Sequence, residues 1–419
     1  MRVSSDAVSR RLRVLISAYA CEPGRGSEPG VGWNWAIQAA QNHDVVVITR
    51  SNQASAIEAA RSRGETPASL TFEYVDLPAS IRRFKRTGRG MRWYYYLWQF
   101  ACYRRGRQLN RKFAFDIAHH LTYASSWRVA GIAFLGIPFV WGPVGYVPFP
   151  WRLWRCAGWR GLLRELLRAL SHLVARYCDP LVRATWRRAN VILVTNHDWK
   201  YVAPARYHDR MRLAVNAGID RSVLQKHRER SPGPAGIIMV GSIQASVKGH
   251  LLALNALRLC LDLPWRLVIV GSGPDLSLVE HTADRLQLTR RLDLVGSISH
   301  TEVLERMKGA EIFLHPAPHD NAPAAVAEAI ATGLRVVCLR WGGPSAVARD
   351  AAVQVPVQSF RKTYLQLAHA LRQMLSNGDD FDDTATKRVA EDLTWEKKQV
   401  IVEMAYRDAA SSLASFHVP

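Results

Sequence analysis

Two carboxylates and a predicted helix lie together in HDNAPAAVAEAIATGLRVVCLRWGG, residues 319–343. Asp320 or Asn321 is a suitable helix cap, Pro323 suits the first helical turn, and the glycine before LRVVCL is a typical helix stop. The amides of such a helix N-terminus favour an anion, for which a diphosphate is well suited. Glu328 lies within the predicted helix. Its carboxylate either accepts hydrogen bonds from the adjacent hydroxyls of a ribose or is an ordinary helix carboxylate.

A glycine-rich stretch, CEPGRGSEPGVG, follows the apolar run at residues 12–19. Gly26, Gly30 and Gly32 let the backbone approach a ligand closely, with amides facing a phosphate or a reacting sugar. A flexible turn is the alternative. Glu28 lies in the same stretch, where it either contacts an acceptor or forms a salt bridge to a neighbour.

Histidines occur at two predicted strand ends. His119 and His120 close the run FDIAHH, and strand alternation lets only one of them face a cleft. We favour His119, with a structural histidine as the alternative for either. His315 and His319 flank the start of the acidic segment, and packing is as good an explanation for them as a place in the cleft.

Buried strands that alternate with helices must position these residues. Near-continuous Val, Ile and Leu runs predict parallel sheets covered on both faces, hence an α/β fold. The runs lie at residues 12–19, 43–50, 70–77, 115–120, 137–142 and 190–196, and again at 236–242, 266–273, 292–297, 310–317 and 334–340. A chain of 419 residues is expected to form two domains. We place their boundary near residue 217, with ligands beyond the carboxyl ends of the strands, in the cleft between the halves.

Several of these segments resemble the family 4 glycosyltransferases. The acid-x7-acid spacing of Asp320 and Glu328 is similar to that family's signature, and SAYACEPGRGSEPGVGWNWA resembles the N-terminal loop of its bacterial polysaccharide-assembly subgroup. The segments WGPVG, VNAGID, VGSIQASVKG and VIVGSGP are also similar to family segments. The resemblance implies the GT-B fold, two Rossmann-like domains with a nucleotide-sugar between them. The domains are then residues 1–216 for the acceptor and 217–395 for the donor, with a helix in 396–419 packing back on the first.

The resemblance also implies roles for particular residues. Asp320, where the family usually has Glu, holds sugar hydroxyls, Glu328 holds the ribose, and His119 or His120 touches the donor sugar; these four are the candidate catalytic residues. Ser242 stands where the family commonly has an arginine that clamps the diphosphate, which leaves Lys248 to neutralise phosphate as a point charge. The predicted nucleotide-sugar-binding residues are Gly26, Gly30, Gly32, Gly241, Ser242, Lys248, Gly271, Asn321, Ala322, Pro323, Ala324 and Glu328.

A net charge of +21 indicates an anionic partner. Residues 81–112 contain eleven Lys or Arg and no acid, and residues 151–188 contain nine Arg against two acids, both interleaved with aromatic residues. Such segments suit an anionic membrane surface. The alternatives are a helical pair with core aromatics and a solvated basic face, or stacked single-stranded bases. We favour the membrane and expect no nucleic acid partner.

Other features narrow the class of protein. Six scattered cysteines without a CxxC pair favour reduced thiols in a cytosolic protein. The polar opening, residues 1–13, does not resemble a secretory signal. An uncharged stretch at residues 129–151 is long enough to span a bilayer, but its prolines favour a buried strand and loop. We find no HExxH or Walker motif and no paired Asp-x-Asp that would hold a metal–diphosphate bridge, and we expect neither a metal nor a cofactor.

Together these features predict a retaining glycosyltransferase at the cytoplasmic face of the membrane. It would move a hexosyl unit from a nucleoside diphosphate sugar to a lipid-linked saccharide in polysaccharide biosynthesis. The alternatives are a sugar-nucleotide epimerase on the same scaffold, a basic nucleic-acid-binding protein, and a catalytically silent relative.

Overall fold

Two parallel β-sheets form the framework of the protein. The computed structural model describes residues 10–85, 91–201, 203–224, 235–321, 323–376 and 383–414. Within these residues the first sheet has seven strands and the second has six. The strand pairs of both sheets are parallel. Ala322 and Arg86, both within segments analysed above, lie outside the described residues.

The N-terminal domain is built on the first sheet, in the order β3-β2-β1-β4-β5-β6-β7. Its strands are β1 Arg13–Ser17, β2 Asp44–Thr49, β3 Leu70–Tyr74, β4 Ile117–His120, β5 Phe139–Val144, β6 Val191–Val194 and β7 Met211–Leu213. Its helices are α1 Ser27–Asn42, α2 Ala54–Ser62, α3 Ala79–Lys85, α4 Met91–Phe113, α5 Gly158–Cys178 and α6 Pro180–Arg188.

The C-terminal domain is built on the second sheet, in the order β10-β9-β8-β11-β12-β13. Its strands are β8 Ala235–Val240, β9 Trp265–Val270, β10 Leu292–Gly296, β11 Ile312–His315, β12 Arg335–Leu339 and β13 Ala352–Val355. The helices that follow β8 are α7 Ala245–Lys248, α8 His250–Arg258, α9 Leu276–Arg285, α10 His300–Gly309, α11 Ala324–Ala331, α12 Gly342–Ala348, α13 Phe360–Ser376, α14 Thr384–Asp392 and α15 Trp395–Ala414.

Each sheet is covered on both faces, which explains why its strands are almost purely apolar. Two clusters of buried side chains flank the first sheet and two flank the second. Helix α15 leaves the C-terminal domain and packs on α1 and on the first sheet, where Val402 and Tyr406 are buried. In the opposite direction, Phe149 and Leu153 of the N-terminal half join a core cluster of the C-terminal domain. Each domain therefore contributes buried residues to a core cluster of the other.

The uncharged stretch at residues 129–151 forms a short 3-10 turn, strand β5 and a proline-containing loop. Among the described residues, no helix combines the length and the apolar character needed to cross a bilayer. All six cysteines are free thiols.

His119 and His120 are the clearest disagreement with the sequence analysis, because both rings are buried in the N-terminal domain and neither faces the cleft. His119 Nε2 donates to the Gly142 carbonyl at 2.7 Å, and its Nδ1 lies 2.9 Å from the Tyr406 hydroxyl. His120 Nε2 lies 3.0 Å from the Tyr95 hydroxyl. The expectation that one of them faces the ligand is corrected: each side of this strand is covered by a helix, so alternation directs both rings into the interior.

Burial of these rings predicts acid sensitivity. Burial lowers the pKa of His119 to about 4 and that of His120 to about 3, the latter with help from nearby positive charge. As the pH falls below about 6.5, the ordinary pKa of histidine, these rings bind protons in the unfolded chain but stay neutral in the folded protein. We therefore expect each ring to cost about 1.4 kcal/mol of unfolding free energy per pH unit until its folded pKa is reached.

Urea unfolding at pH 7.5, 6 and 5 measures this loss. His120→Gln removes one titrating group and should flatten the pH dependence, whereas His281→Gln, on the exposed face of α9, should not. Parallel slopes for His120→Gln and the unmodified protein would contradict the neutral buried ring.

Candidate active site

A cleft between the domains opens into a cavity of about 600 Å³. The loop before α1 and the first turns of α1 line one side of it. The end of α7 and the starts of α10 and α11, with the segment before α11, line the other. In parallel sheets the carboxyl ends of the strands meet at one edge, so the cleft collects residues that are distant in sequence. Predicted residues on its surface are Gly26, Gly30, Lys248, Asp320, Asn321, Pro323, Ala324 and Glu328.

Asp320 is held by two cationic or hydrogen-bonding groups at once. Lys248 Nζ donates to its Oδ2 at 2.5 Å, and His315 Nε2 donates to the same oxygen at 3.0 Å. Burial alone would raise the pKa of this carboxyl, but the charge of Lys248 and the bond from His315 outweigh burial and hold the pKa well below its usual range. Asp320 is thus ionised and oriented, with its side chain 15% exposed to the cavity.

Glu328 lines the same cavity from inside α11, with its side chain 14% exposed. His300, which follows β10, places Nε2 2.9 Å from Glu328 Oε1. The hydrogen bond to Glu328 raises the pKa of His300, against partial burial. This histidine orients the carboxylate that the sequence analysis predicted to bind a ribose.

Helix α11 begins later than the sequence predicted. Its N-cap is Pro323, and no side chain caps it. The prediction that Asp320 or Asn321 caps the helix was wrong, because the Asp320 side chain is bound to Lys248 and His315 instead. The helix start, Ala324, still lines the cavity, so its backbone end is directed to the cleft. Ala322, also predicted to bind the nucleotide-sugar, is outside the described residues.

Gly241 and Gly271 support the site without lining the cavity. Gly241 has a φ of +140°, and a Cβ there would lie 2.9 Å from Lys248 Cε. A Cβ on Gly271 would lie 1.9 Å from the Gly241 carbonyl oxygen. These two glycines therefore leave the space in which the Lys248 side chain reaches Asp320. Ser242, at the position of the usual family arginine, is exposed to solvent outside the cavity lining.

The glycine-rich segment of the N-terminal domain enters α1 at Ser27, and its residues are divided between cleft and core. Gly26 and Gly30 line the cavity, whereas Gly32 packs on the segment that follows β1, where a Cβ would lie 2.0 Å from the Ala20 carbonyl oxygen. Glu28 accepts a hydrogen bond from the Tyr123 N–H at 3.0 Å. Burial raises the pKa of Glu28, while this bond and the charge of Arg128 oppose the rise. The sequence analysis left an acceptor contact and a salt bridge open for Glu28. In the structure its carboxylate bonds to a backbone N–H, and the residue also lines the cavity.

The double glycine at the end of the acidic segment connects the two domains. The Gly342 N–H donates to Asp198 Oδ2 of the N-terminal domain at 2.7 Å, and the Gly343 N–H donates to the Asp320 carbonyl at 2.9 Å. Trp341 Nε1 donates to the Pro148 carbonyl at 3.0 Å. The segment that carries Asp320 is therefore fixed to the N-terminal domain as well as to its own.

Sequence reasoning missed several cavity residues, of which His300 and Arg25 carry charge or hydrogen-bonding groups at the site. His300 was overlooked although it follows a predicted strand end, which is a signal that could have identified it. Arg25 also lines the cavity, in an ion pair with Glu22 at 3.1 Å, and its position between glycines was the available signal. Within the part of the chain that the structure describes, no group of three or more His, Cys, Asp or Glu side chains is arranged for a metal ion.

Comparison with known proteins identifies the C-terminal domain. Residues 220–390 match the family described as Glycosyl transferases group 1. The chain is 32% identical over 87 residues to the gpi3 subunit of phosphatidylinositol N-acetylglucosaminyltransferase of Schizosaccharomyces pombe, which is 20% of this chain and 19% of that protein. It is 27% identical over 179 residues to the GDP-mannose-dependent alpha-(1-6)-phosphatidylinositol dimannoside mannosyltransferase of Mycobacterium tuberculosis, 41% of this chain and 44% of that protein. The chain thus spans less than half the length of these relatives.

The whole chain also matches solved structures. Anabaena HepE in complex with UDP-glucose superimposes with a TM-score of 0.57 at 13% identity, over 97% of this chain and 100% of that one. At this identity the likeness shows the fold alone, which is the GT-B fold predicted from the sequence. None of these matches favours the epimerase or nucleic-acid-binding alternatives.

The pair of His300 and Glu328 makes a prediction that needs no ligand. Glu328→Gln removes the negative charge that stabilises the imidazolium, so we expect the pKa of His300 to fall. An NMR titration of the histidine ring protons measures the change. Glu305→Gln, in an exposed pair with Lys308 on α10, is the control and should leave His300 unaffected. An unaltered His300 titration in Glu328→Gln would show that the pair does not form.

Proposed function

Because residues 220–390 form a glycosyltransferase domain of group 1 and the whole chain has the GT-B fold, we propose that the protein is a retaining glycosyltransferase. It transfers a hexosyl unit from a nucleoside diphosphate sugar to a lipid-linked saccharide in polysaccharide biosynthesis. Two similar proteins support the donor and the acceptor of this reaction. HepE is in complex with UDP-glucose, and the mycobacterial enzyme is a GDP-mannose-dependent phosphatidylinositol dimannoside mannosyltransferase.

The proposal depends most on one observation. The start of α11, Lys248, Asp320 and Glu328 meet in a single cavity that faces the glycine loop of the other domain. In the proposed complex the α11 amides and Lys248 bind the diphosphate, Glu328 binds the ribose, and Asp320 orients the sugar hydroxyls. The side chains and amides then supply the positive potential that a departing diphosphate needs, so we propose a reaction without a metal ion.

The proposed reaction exchanges one glycosidic oxygen for another. The bond from the anomeric carbon of the sugar to the diphosphate oxygen breaks, and the nucleoside diphosphate leaves with the electron pair. The bond from the same carbon to the acceptor hydroxyl oxygen forms, and the hydroxyl proton passes to the departing phosphate. The retained configuration follows from the resemblance to family 4. Closure of the two domains excludes water, which favours transfer over hydrolysis.

An exposed apolar stripe on α5 supports the location at a membrane. Leu166, Leu170 and Leu173 are 51%, 57% and 56% exposed, and Trp159 at the start of the helix is 73% exposed. The single acid of this helix, Glu165, is buried. An apolar stripe with basic neighbours and no exposed acid suits the headgroup region of an anionic leaflet. We therefore propose that α5 lies in the plane of the membrane surface.

Other aromatic residues of the basic segments pack in the core. Tyr94, Tyr95 and Trp98 of α4 are buried, whereas Trp93 and Phe100 are exposed. The segment at 81–112 is thus partly the helical pair with core aromatics that was the alternative, and α5 is the better candidate for lipid contact.

The ribose assignment predicts that Glu328→Ala weakens donor binding and transfer by about 10- to 100-fold, because charge-assisted hydrogen bonds are lost. The fold should persist, since the side chain lies at the cavity surface. Binding of UDP-glucose and GDP-mannose by calorimetry, and transfer with whichever binds, measure the loss. Glu280→Ala, on the exposed face of α9, is the control. Wild-type transfer by Glu328→Ala would rule out this assignment.

The α5 stripe predicts loss of vesicle binding. Leu166→Gln combined with Leu170→Gln should lower partitioning to vesicles of mixed phosphatidylcholine and phosphatidylglycerol by about tenfold or more, since less apolar area enters the bilayer. Val400→Gln combined with Met404→Gln, equally exposed on α15, is the matched control. Co-sedimentation gives the bound fraction. Equal sedimentation of the two double variants would remove α5 from the membrane surface and leave the chemistry intact.

A further inference from the structure

A second cavity, of about 640 Å³, adjoins the one described above. The two cavities share Glu28, Asn216 and Asn321 as lining residues. The rest of the second lining comes largely from loops of the N-terminal domain and from one face of α5. A molecule in the second cavity would thus meet a donor sugar at this shared wall.

The shared wall presents oxygen atoms that have no partner. Among the described residues, the Oδ1 atoms of Asn216 and Asn321 are buried without a hydrogen bond, and so is the Ser125 Oγ in the second cavity. A buried acceptor left unpaired costs about 1 to 3 kcal/mol. A ligand that donates hydroxyl groups to these atoms recovers that free energy, and a saccharide is rich in such groups. The shared wall therefore suits a saccharide in the second cavity as well as a donor sugar in the first cavity.

Arg128 provides a cation in the second cavity that acts on Glu28 through its charge but forms no close ion pair. Its guanidinium lies over the Trp127 ring at 4.7 Å from the centroid and near Tyr95 and Tyr123 at 5.1 and 5.5 Å. No described carboxylate lies within ion-pair distance of it. The rings hold the guanidinium in place, and its planar donors match the oxygens of a phosphate.

The other two arginines of this cavity are already neutralised. Arg164 binds both oxygens of Asp275 at 2.8 and 2.7 Å, and Arg168 binds Glu165 at 3.2 and 3.1 Å. The first pair fixes α5 to the C-terminal domain, and the second lies within α5. Arg128 remains as the cation that is available to an anionic ligand.

The cavity continues directly to the apolar stripe of α5. Leu167 lines the cavity and is 56% exposed to solvent. It lies on the helix between Leu163 and Leu170, both more than half exposed, at the spacing that places residues on one helical face. An apolar chain that leaves the cavity at Leu167 would therefore lie on this stripe, with its far end in the bilayer that α5 contacts.

We propose that the second cavity binds the head of an acceptor that carries a phosphate and an apolar chain. Arg128 binds the phosphate, the unpaired oxygens of the shared wall hold the saccharide beside the donor, and the chain leaves past Leu167 along α5. This assignment rests on the proposed glycosyl transfer and specifies the acceptor as a phosphate-bearing lipid.

The test uses the full chain and three probes below their micellar concentrations: n-dodecyl phosphate, n-dodecyl maltoside and inorganic phosphate. The unmodified protein should bind dodecyl phosphate more tightly than either of the others, because only this probe has both the anion and the chain. Arg128→Gln should weaken dodecyl phosphate binding about tenfold or more, and Arg128→Lys, which keeps the charge but not the planar fork, should lie between. Arg258→Gln, on the exposed end of α8, is the matched control.

The chain route has its own variant. Leu167→Gln should reduce the advantage of dodecyl phosphate over inorganic phosphate, and Leu365→Gln, an exposed leucine on α13, should not. Calorimetry with UDP and with GDP checks each variant for an intact fold and donor cavity. Wild-type affinity for dodecyl phosphate in an Arg128→Gln protein that still binds a nucleotide would overturn the inference. Absence of nucleotide binding by the unmodified protein, with dodecyl phosphate bound through Arg128, would instead overturn the proposed transfer and retain this cavity.

Discussion

The buried charge of Asp320 is the constraint on which the cleft depends. An ionised carboxylate in a protein interior is tolerated only when cations and hydrogen bonds compensate for lost hydration. Lys248 supplies that compensation from the end of α7, and His315 supplies it from the end of β11. Gly241, with a φ of +140° and no side chain, leaves space beside the Lys248 side chain on its way to Asp320. The strand ends, the small residues and the start of α11 are thus fixed relative to one another before any ligand arrives.

Helix α5 of the N-terminal domain is bound to the C-terminal domain close to Asp320. One face of the helix binds the C-terminal domain, through Arg164 to Asp275 and through Glu165, whose carboxylate lies 3.3 Å from His319 Nδ1, next to Asp320 in sequence. The opposite face carries the exposed leucines. A single helix therefore connects the proposed lipid surface with the residue adjacent to the buried carboxylate. The excess of arginine in this segment serves both faces, because some arginines form ion pairs within the cleft and others remain on the surface.

Sequence patterns predicted the framework well where burial is uniform. Strands such as Val191–Val194 are apolar throughout because both faces of the sheet are covered, and such runs are recognisable without any tertiary information. The same uniform burial explains the failure at His119 and His120, since alternation distinguishes two faces only when one of them is open. The cap of α11 was misassigned for a different reason: Asp320 has the right residue type for a cap, but Lys248, 72 residues away in sequence, binds its side chain instead.

By itself the sequence determined that the chain has two α/β halves, that the acidic segment at 319–343 faces the cleft between them, and that positive charge is concentrated in two segments. These properties follow from local composition and short-range spacing. Only the tertiary structure decided which partner each charged group has: His300 for Glu328, Lys248 for Asp320, Asp275 for Arg164, and aromatic rings for Arg128. Such pairings depend on side-chain distances between residues far apart in the chain, and a linear sequence does not contain those distances.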